Sequence, residues 1–132
     1  MESRTHLAID PDWVGRPTAL GPGTASASLV TTSAMAADDR GLCHGGFVFG
    51  LADYAAMLAV NDPNVVLGAA ELRFVAPVRV GQTVDATATV IEEGGRKRKV
   101  EVRATVGDTV VLTGTMTTFV LDRHVLDAGQ GD

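Results

Sequence analysis

Only one cysteine, Cys43, occurs in the chain, so an internal disulfide is excluded and a reducing compartment suits it. Aromatic residues are scarce at 5%, while Val, Ala, Thr and Gly abound, a balance that suits strands. Positive charge is in deficit too: 11 Lys and Arg stand against 16 Asp and Glu, a net charge of −5. General nucleic-acid binding needs a basic surface to displace counterions from phosphates, so no nucleic-acid partner is expected. One local basic cluster still suffices for a single anionic ligand. No apolar run reaches the roughly 20 residues of a transmembrane helix. The longest, residues 47–60, is interrupted by Asp53. The opening stretch MESRTHLAIDPDW lacks the apolar centre and cleavage pattern of a secretory signal. Neither membrane insertion nor export is expected, and the cytoplasm is the expected compartment.

What is present is an ordinary globular composition, 45% hydrophobic and 20% charged over 132 residues, enough for one domain with one core. Residues 1–23, rich in Pro and Gly, read as an irregular lead-in with a turn of helix near Pro11–Val14. Residues 24–32 (TASASLVTT) are small and β-compatible and predict a first strand. A loop at 34–42 carries Asp38, Asp39 and Arg40. Gly45 and Gly46 then open a helix that is apolar on every side, and such a helix belongs inside the molecule. Small residues (Gly50, Ala52, Ala55, Ala56, Ala59) let other backbone approach it closely. Asn61-Asp62-Pro63-Asn64 ends it.

Beyond the helix the hydrophobic period falls to two. A strand is expected at 65–74, apolar at first and then alternating. In 82–93, Val84, Ala86, Ala88 and Val90 share one face. In 97–106 the inward set is Val100, Val102, Ala104 and Val106, and 109–121 completes the series. Glu-Gly-Gly at 93–95 and Gly107-Asp108 make short turns, so the last three strands form an antiparallel meander. Strand, buried helix and four strands give an α+β layer architecture over residues 24–121, with 122–132 as a polar tail.

The order of elements, the HGG of residues 44–46, the LAD of 51–53 and the stretch ELRFVAPVRVGQTV resemble the hot-dog fold, and more narrowly the PaaI-like acyl-CoA thioesterases. That resemblance implies a curled antiparallel five-stranded sheet wrapped around one long central helix. It implies homodimers, or dimers of dimers, joined edge to edge through the strand at 65–74, with acyl-CoA in a groove between subunits. An edge strand so apolar is an aggregation hazard unless something covers it, which argues in the same direction. The implied activity is hydrolysis of short-chain, medium-chain or aryl acyl-CoA, with coenzyme A only as part of the substrate and no metal.

The residues supply physical reasons for such chemistry. First-turn N–H groups lack intrahelical partners and sit at the positive end of the helix dipole, so Gly45 and Gly46 can hold a developing oxyanion. The plainer alternative is that two glycines simply allow a sharp turn. Asp53 is the only charged residue of the helix, and burying a carboxylate without a partner is costly. Burial raises its pKa toward the range of a general base. The resemblance gives it the role of base or nucleophile, against the alternative of an Asp satisfied by backbone amides or Arg73. His44, Gly46 and Asp53 are the expected catalytic set; Gly45, Phe47, Tyr54, Asn61, Arg96 and Arg98 are expected at the substrate. His44 is implied to position substrate or loop. Arg96 and Arg98, in the run RKRK, either form a solvated hairpin tip or meet the phosphates of CoA.

Two departures from the family's pattern stand out. The loop MAADDRGLC has no asparagine ahead of HGG, where PaaI-like enzymes commonly carry one. Tyr54 follows Asp53 where threonine is common, which suggests a differently shaped acyl pocket. A non-catalytic acyl-CoA sensor, like the effector domain of a bacterial lipid-synthesis repressor, is the alternative function. A hydratase on the same fold is a third, but its signature is not found.

Overall fold

The structure is a computed structural model and describes residues 1–127. The far end of the tail, 128–132, lies outside the described residues. The chain runs through a short helix α1 (Pro11–Val14), strands β1 (Arg16–Gly21) and β2 (Thr24–Val30), and the long helix α2 (Gly45–Val60). Then follow β3 (Val65–Phe74), β4 (Thr83–Gly94), β5 (Lys97–Val106) and β6 (Thr109–Val120). All the strands join one antiparallel sheet in the order β1-β2-β4-β5-β6-β3. Curled around α2, this sheet gives the α+β hot-dog architecture.

The strand count is six, not the expected five, and the extra strand β1 lies inside the lead-in expected to be irregular. Its sequence RPTALG shows no alternation because four of its six residues are exposed. Backbone pairing to β2 makes it a strand, with no inward face to announce it. The meander of β4, β5 and β6 forms as its two short turns predict.

In β4 and β5 the inward sets are those read from the alternation: Val84, Ala86, Ala88, Val100, Val102 and Ala104 are buried, and Val90 and Val106 at the strand ends are partly buried. Ala25, Ala27 and Leu29 of β2 are buried beside them. Cross-strand register aligns Ala27 with Ala86 and Ala86 with Ala104, a row of methyl groups across three strands. This shallow row receives α2, which packs chiefly on β4 and β2 and is itself rich in alanine. Leu51, Met57 and Leu58 fill the remaining space at 0–1% exposure. Removing one such side chain costs about 2–5 kcal/mol.

Strand β3 is paired on one side only, by β6, and residues 68–71 are exposed. It is therefore one of the sheet's two edges, the other being β1, and the one whose apolar sequence marks it as a hazard if uncovered. Among the described residues no helix is long and apolar enough to cross a membrane.

Candidate active site

Helix α2 has two distinct ends, and the predicted residues divide between them. At its start, His44 is the N-cap residue, with extended backbone (φ −62°, ψ 128°) and no side-chain capping bond. The entry loop is held from both sides: Cys43 N–H donates to Val78 O and His44 N–H to Met35 O, each at 2.8 Å. Phe47 N–H reaches back to His44 O at 3.1 Å, whereas no acceptor among the described residues takes Gly45 or Gly46 N–H. Two unpartnered amides at the positive end of a sixteen-residue helix make a site for developing negative charge.

The glycines serve a more particular purpose than open access. A Cβ on Gly46 would lie 2.9 Å from His44 Nε2, and one on Gly45 would lie 3.4 Å from the Phe74 ring. The two rings thus fold over the first turn where side chains would otherwise stand. Trp13 of α1 stacks on Phe47 at 5.8 Å, and His44 meets Phe47 edge-on at 6.0 Å. Beside Gly45 opens a cavity of about 290 Å³, lined by apolar residues that include Val48, Phe74, Pro77 and Val111. Its volume is at the low end of small-molecule sites. Cys43 lines it as well, but burial pushes its thiol pKa up, which suits an inert side chain and not a nucleophile.

Asp53 lies two turns further on. Its Oδ1 is buried and has no hydrogen-bond partner among the described residues. Neither backbone amides nor Arg73 satisfy that atom, and Arg73 is exposed. Burial raises the Asp53 pKa above the ordinary carboxylate value, and the charge of His6 draws it partly back down. Buried Tyr54 also has its pKa raised by burial, and its ring lies 6.1 Å from that of His6.

Eight residues separate Gly45 from Asp53, about 12 Å along a helix axis. One chain therefore cannot bring its own helix-entry amides and its own Asp53 to a single carbonyl group. Asn61 stands at the far end of α2 in left-handed conformation (φ 54°), and its side chain is engaged by the N-terminal segment. Arg96 pairs with Asp122, and Arg98 with Glu93 at 3.0 Å. Register places Lys97 opposite Phe119 and Phe74 opposite Leu112, so the basic hairpin stands seven β6 residues from the helix entry. That is roughly 23 Å along an extended strand. Asp38, in the loop without asparagine, accepts from Arg40 N–H at 2.9 Å and Leu42 N–H at 3.2 Å, which shapes the loop itself. Sequence reasoning missed Trp13, Phe74 and His6. The chain's only tryptophan and the rarity of its histidines were the available signals.

Comparison with known proteins shows the family. A family model described as the thioesterase superfamily matches residues 40–113. An uncharacterized protein of Pyrococcus horikoshii is 50% identical over 96% of this chain and 98% of its own, with a TM-score of 0.95. A point mutant of the phenylacetic acid degradation protein PaaI from Thermus thermophilus is 28% identical, with a TM-score of 0.76, over 84% of this chain and 97% of its own. A methylthioribose-1-phosphate isomerase of Aquifex aeolicus is 46% identical over 92% of this chain, which spans only 27% of that protein's length.

Proposed function

The chain belongs to the thioesterase superfamily as a PaaI-like hot-dog protein, and we propose that it hydrolyses acyl-CoA thioesters to free acid and CoA. The acyl group is short-chain, medium-chain or aryl, matched to the small apolar cavity beside Gly45. Coenzyme A enters only as part of the substrate, and a reducing cytoplasm suits both it and the lone buried cysteine.

The observation that carries this reading is Asp53, a buried carboxylate oxygen without a partner on a helix whose entry amides are free. An isolated buried carboxylate is unfavourable for stability, and its raised pKa suits a proton acceptor. In the reaction, water adds to the thioester carbonyl carbon while Asp53 takes its proton, or the carboxylate itself adds and water then cleaves the anhydride. Charge gathering on the carbonyl oxygen rests on the amides of Gly45 and Gly46. The C–S bond breaks, and the CoA thiolate leaves and takes up a proton. Because about 12 Å separates Gly45 from Asp53 along the helix, a second copy of the chain completes each site. The exposed edge of β3 is the surface on which copies pair, as a homodimer or a dimer of dimers.

The test is CoA release from a panel of acetyl-, hexanoyl-, octanoyl-, benzoyl- and phenylacetyl-CoA, with Asp53→Ala as control. Turnover that disappears in the variant supports the assignment; equal turnover in both proteins removes Asp53 from the chemistry. Binding without turnover would favour the sensor function.

A further inference from the structure

We propose that His6 is a positioning residue for Asp53, laid by the N-terminal segment beside the helix turn that carries the reacting carboxylate. The inference rests on Asp53 being the base or nucleophile of the thioesterase reading, and it adds a residue that the HGG and LAD motifs do not contain.

The N-terminal segment is fastened to α2 at the helix end. Asn61 Nδ2 donates to Glu2 O at 2.8 Å, and Asn61 Oδ1 accepts from Arg4 N–H at 2.7 Å. Asn tolerates the left-handed conformation that turns its side chain to this use. Thr5 follows, 6% exposed, and its Oγ1 bonds His6 Nδ1 at 2.8 Å. The His6 ring then meets Tyr54, the residue beside Asp53. From Asn61 back to Tyr54 is about 10 Å of helix, and from Glu2 to His6 about 13 Å of extended chain. The segment thus runs antiparallel to α2 and arrives at the turn that carries the carboxylate.

His6, an exposed residue, adopts left-handed backbone (φ 55°), a conformation in which His is enriched among non-glycine residues. Thr5 fixes Nδ1, and no described residue takes Nε2. The charged residues of β1 and β3 (Arg16, Glu71 and Arg73) are exposed, and β6 carries none. The inward residues of β2, β4 and β5 are apolar throughout. On α1, Asp12 is exposed and pairs with Arg16 at 3.7 Å; at the helix end, Asp62 caps Asn64 N–H. Tyr54 is the remaining ionisable neighbour on α2. Burial raises the Asp53 pKa, and the charge of His6 draws it back down.

The experiment is a carboxyl ¹³C titration of the full chain labelled at aspartate, with the Asp53 signal assigned from Asp53→Asn. In His6→Gln the Asp53 midpoint is expected to rise by roughly half a pH unit, the size of a Coulomb term between partly exposed neighbours. In His6→Lys, which keeps a cation, it is expected to return toward the wild-type value. The acid limb of the kcat/KM profile for acyl-CoA should move with it. An Asp53 midpoint that is the same in all three proteins overturns the proposal. Should His6→Gln not fold, His6→Asn serves as the neutral variant: an Asp53 midpoint unchanged from wild type in it overturns the proposal. The titration needs no turnover, so a protein without thioesterase activity defeats the functional reading and leaves the His6 result standing.

Discussion

The two ends of helix α2 are built on opposite principles. The entry is held chiefly by backbone: the carbonyls of Met35 and Val78 grip Cys43 and His44, two amides stay unpartnered, and His44, Phe47, Phe74 and Trp13 crowd around them. The half from Asp53 to Asn61 is strapped by side chains, with residues 2–6 fastened along it through Asn61, Thr5 and His6. In the proposed reaction one end receives charge and the other supplies the carboxylate. One helix keeps them about 12 Å apart, so in that reading neither end is a complete site.

The sharpest way to break this contrast is Asp53→Asn. Loss of a proton acceptor costs about 10²–10⁴-fold in kcat, measured as CoA release. Stability should move the opposite way. A carboxyl whose folded pKa is raised contributes stability that is full below its unfolded pKa and lost as pH rises through the folded value. At neutral pH the ionised Asp53 is therefore a burden, and Asp53→Asn should be more stable by about 1 kcal/mol. That gain should vanish in melts at acid pH. In wild type, kcat/KM should fall as pH drops through a midpoint above the ordinary carboxylate range.

Complementation tests whether the ends of two different copies meet. Gly46→Val crowds the entry amides, and Asp53→Asn empties the other end; each protein alone is expected to be nearly inactive. If every site takes its entry from one copy and its aspartate from the other, a mixed dimer regains one intact site. Equal mixing and re-association then restores about a quarter of wild-type activity, by the symmetry of a two-fold dimer. No recovery, in a mixture shown to exchange subunits, places both ends in one chain and overturns the composite site.

How much of this the sequence disclosed follows the same division. Strands β4 and β5 were legible because one face is buried and their alternation is regular, and α2 because it is apolar all round. Asp53 was legible as the one charge in that helix. Strand β1 was not, since it has no buried face. The strap was invisible for another reason: its hydrogen bonds join residues 57 and 59 positions apart, and nothing local in MESRTHLAI encodes a partner. Asn61 looked like a helix stop, and is one, yet its side chain does the fastening. Asn61→Ala should release two hydrogen bonds and lower stability by about 1–3 kcal/mol, seen as a lower urea midpoint. The acid limb of kcat/KM should shift in the sense of His6→Gln, while the entry-loop bonds of Cys43 and His44 keep their hydrogen-exchange protection. Loss of protection at both ends would show that they are one cooperative unit.

The smallest effect is expected from the basic hairpin, which stands at the strapped end. Arg96 and Arg98 have the charge and geometry to grip phosphate, but their partners are already supplied. Arg96 is 59% exposed and faces Asp122; Arg98 is 19% exposed and held by Glu93 and by the carbonyls of Gly95 and Lys97. An exposed pair such as Arg96–Asp122 contributes about 0–1 kcal/mol. The helix entry lies roughly 23 Å away along β6, too far for these guanidinium groups to act on the carbonyl. Arg96→Gln with Arg98→Gln should leave kcat unchanged, shift stability by less than about 1 kcal/mol, and change KM for acyl-CoA less than about threefold. The informative control is ionic strength. If the hairpin of one copy reaches the CoA phosphates bound at another, KM in wild type will climb steeply with salt and the double variant will lose that slope. A KM rise of tenfold or more at low salt would move the hairpin from the strapped end's scaffolding into the substrate groove.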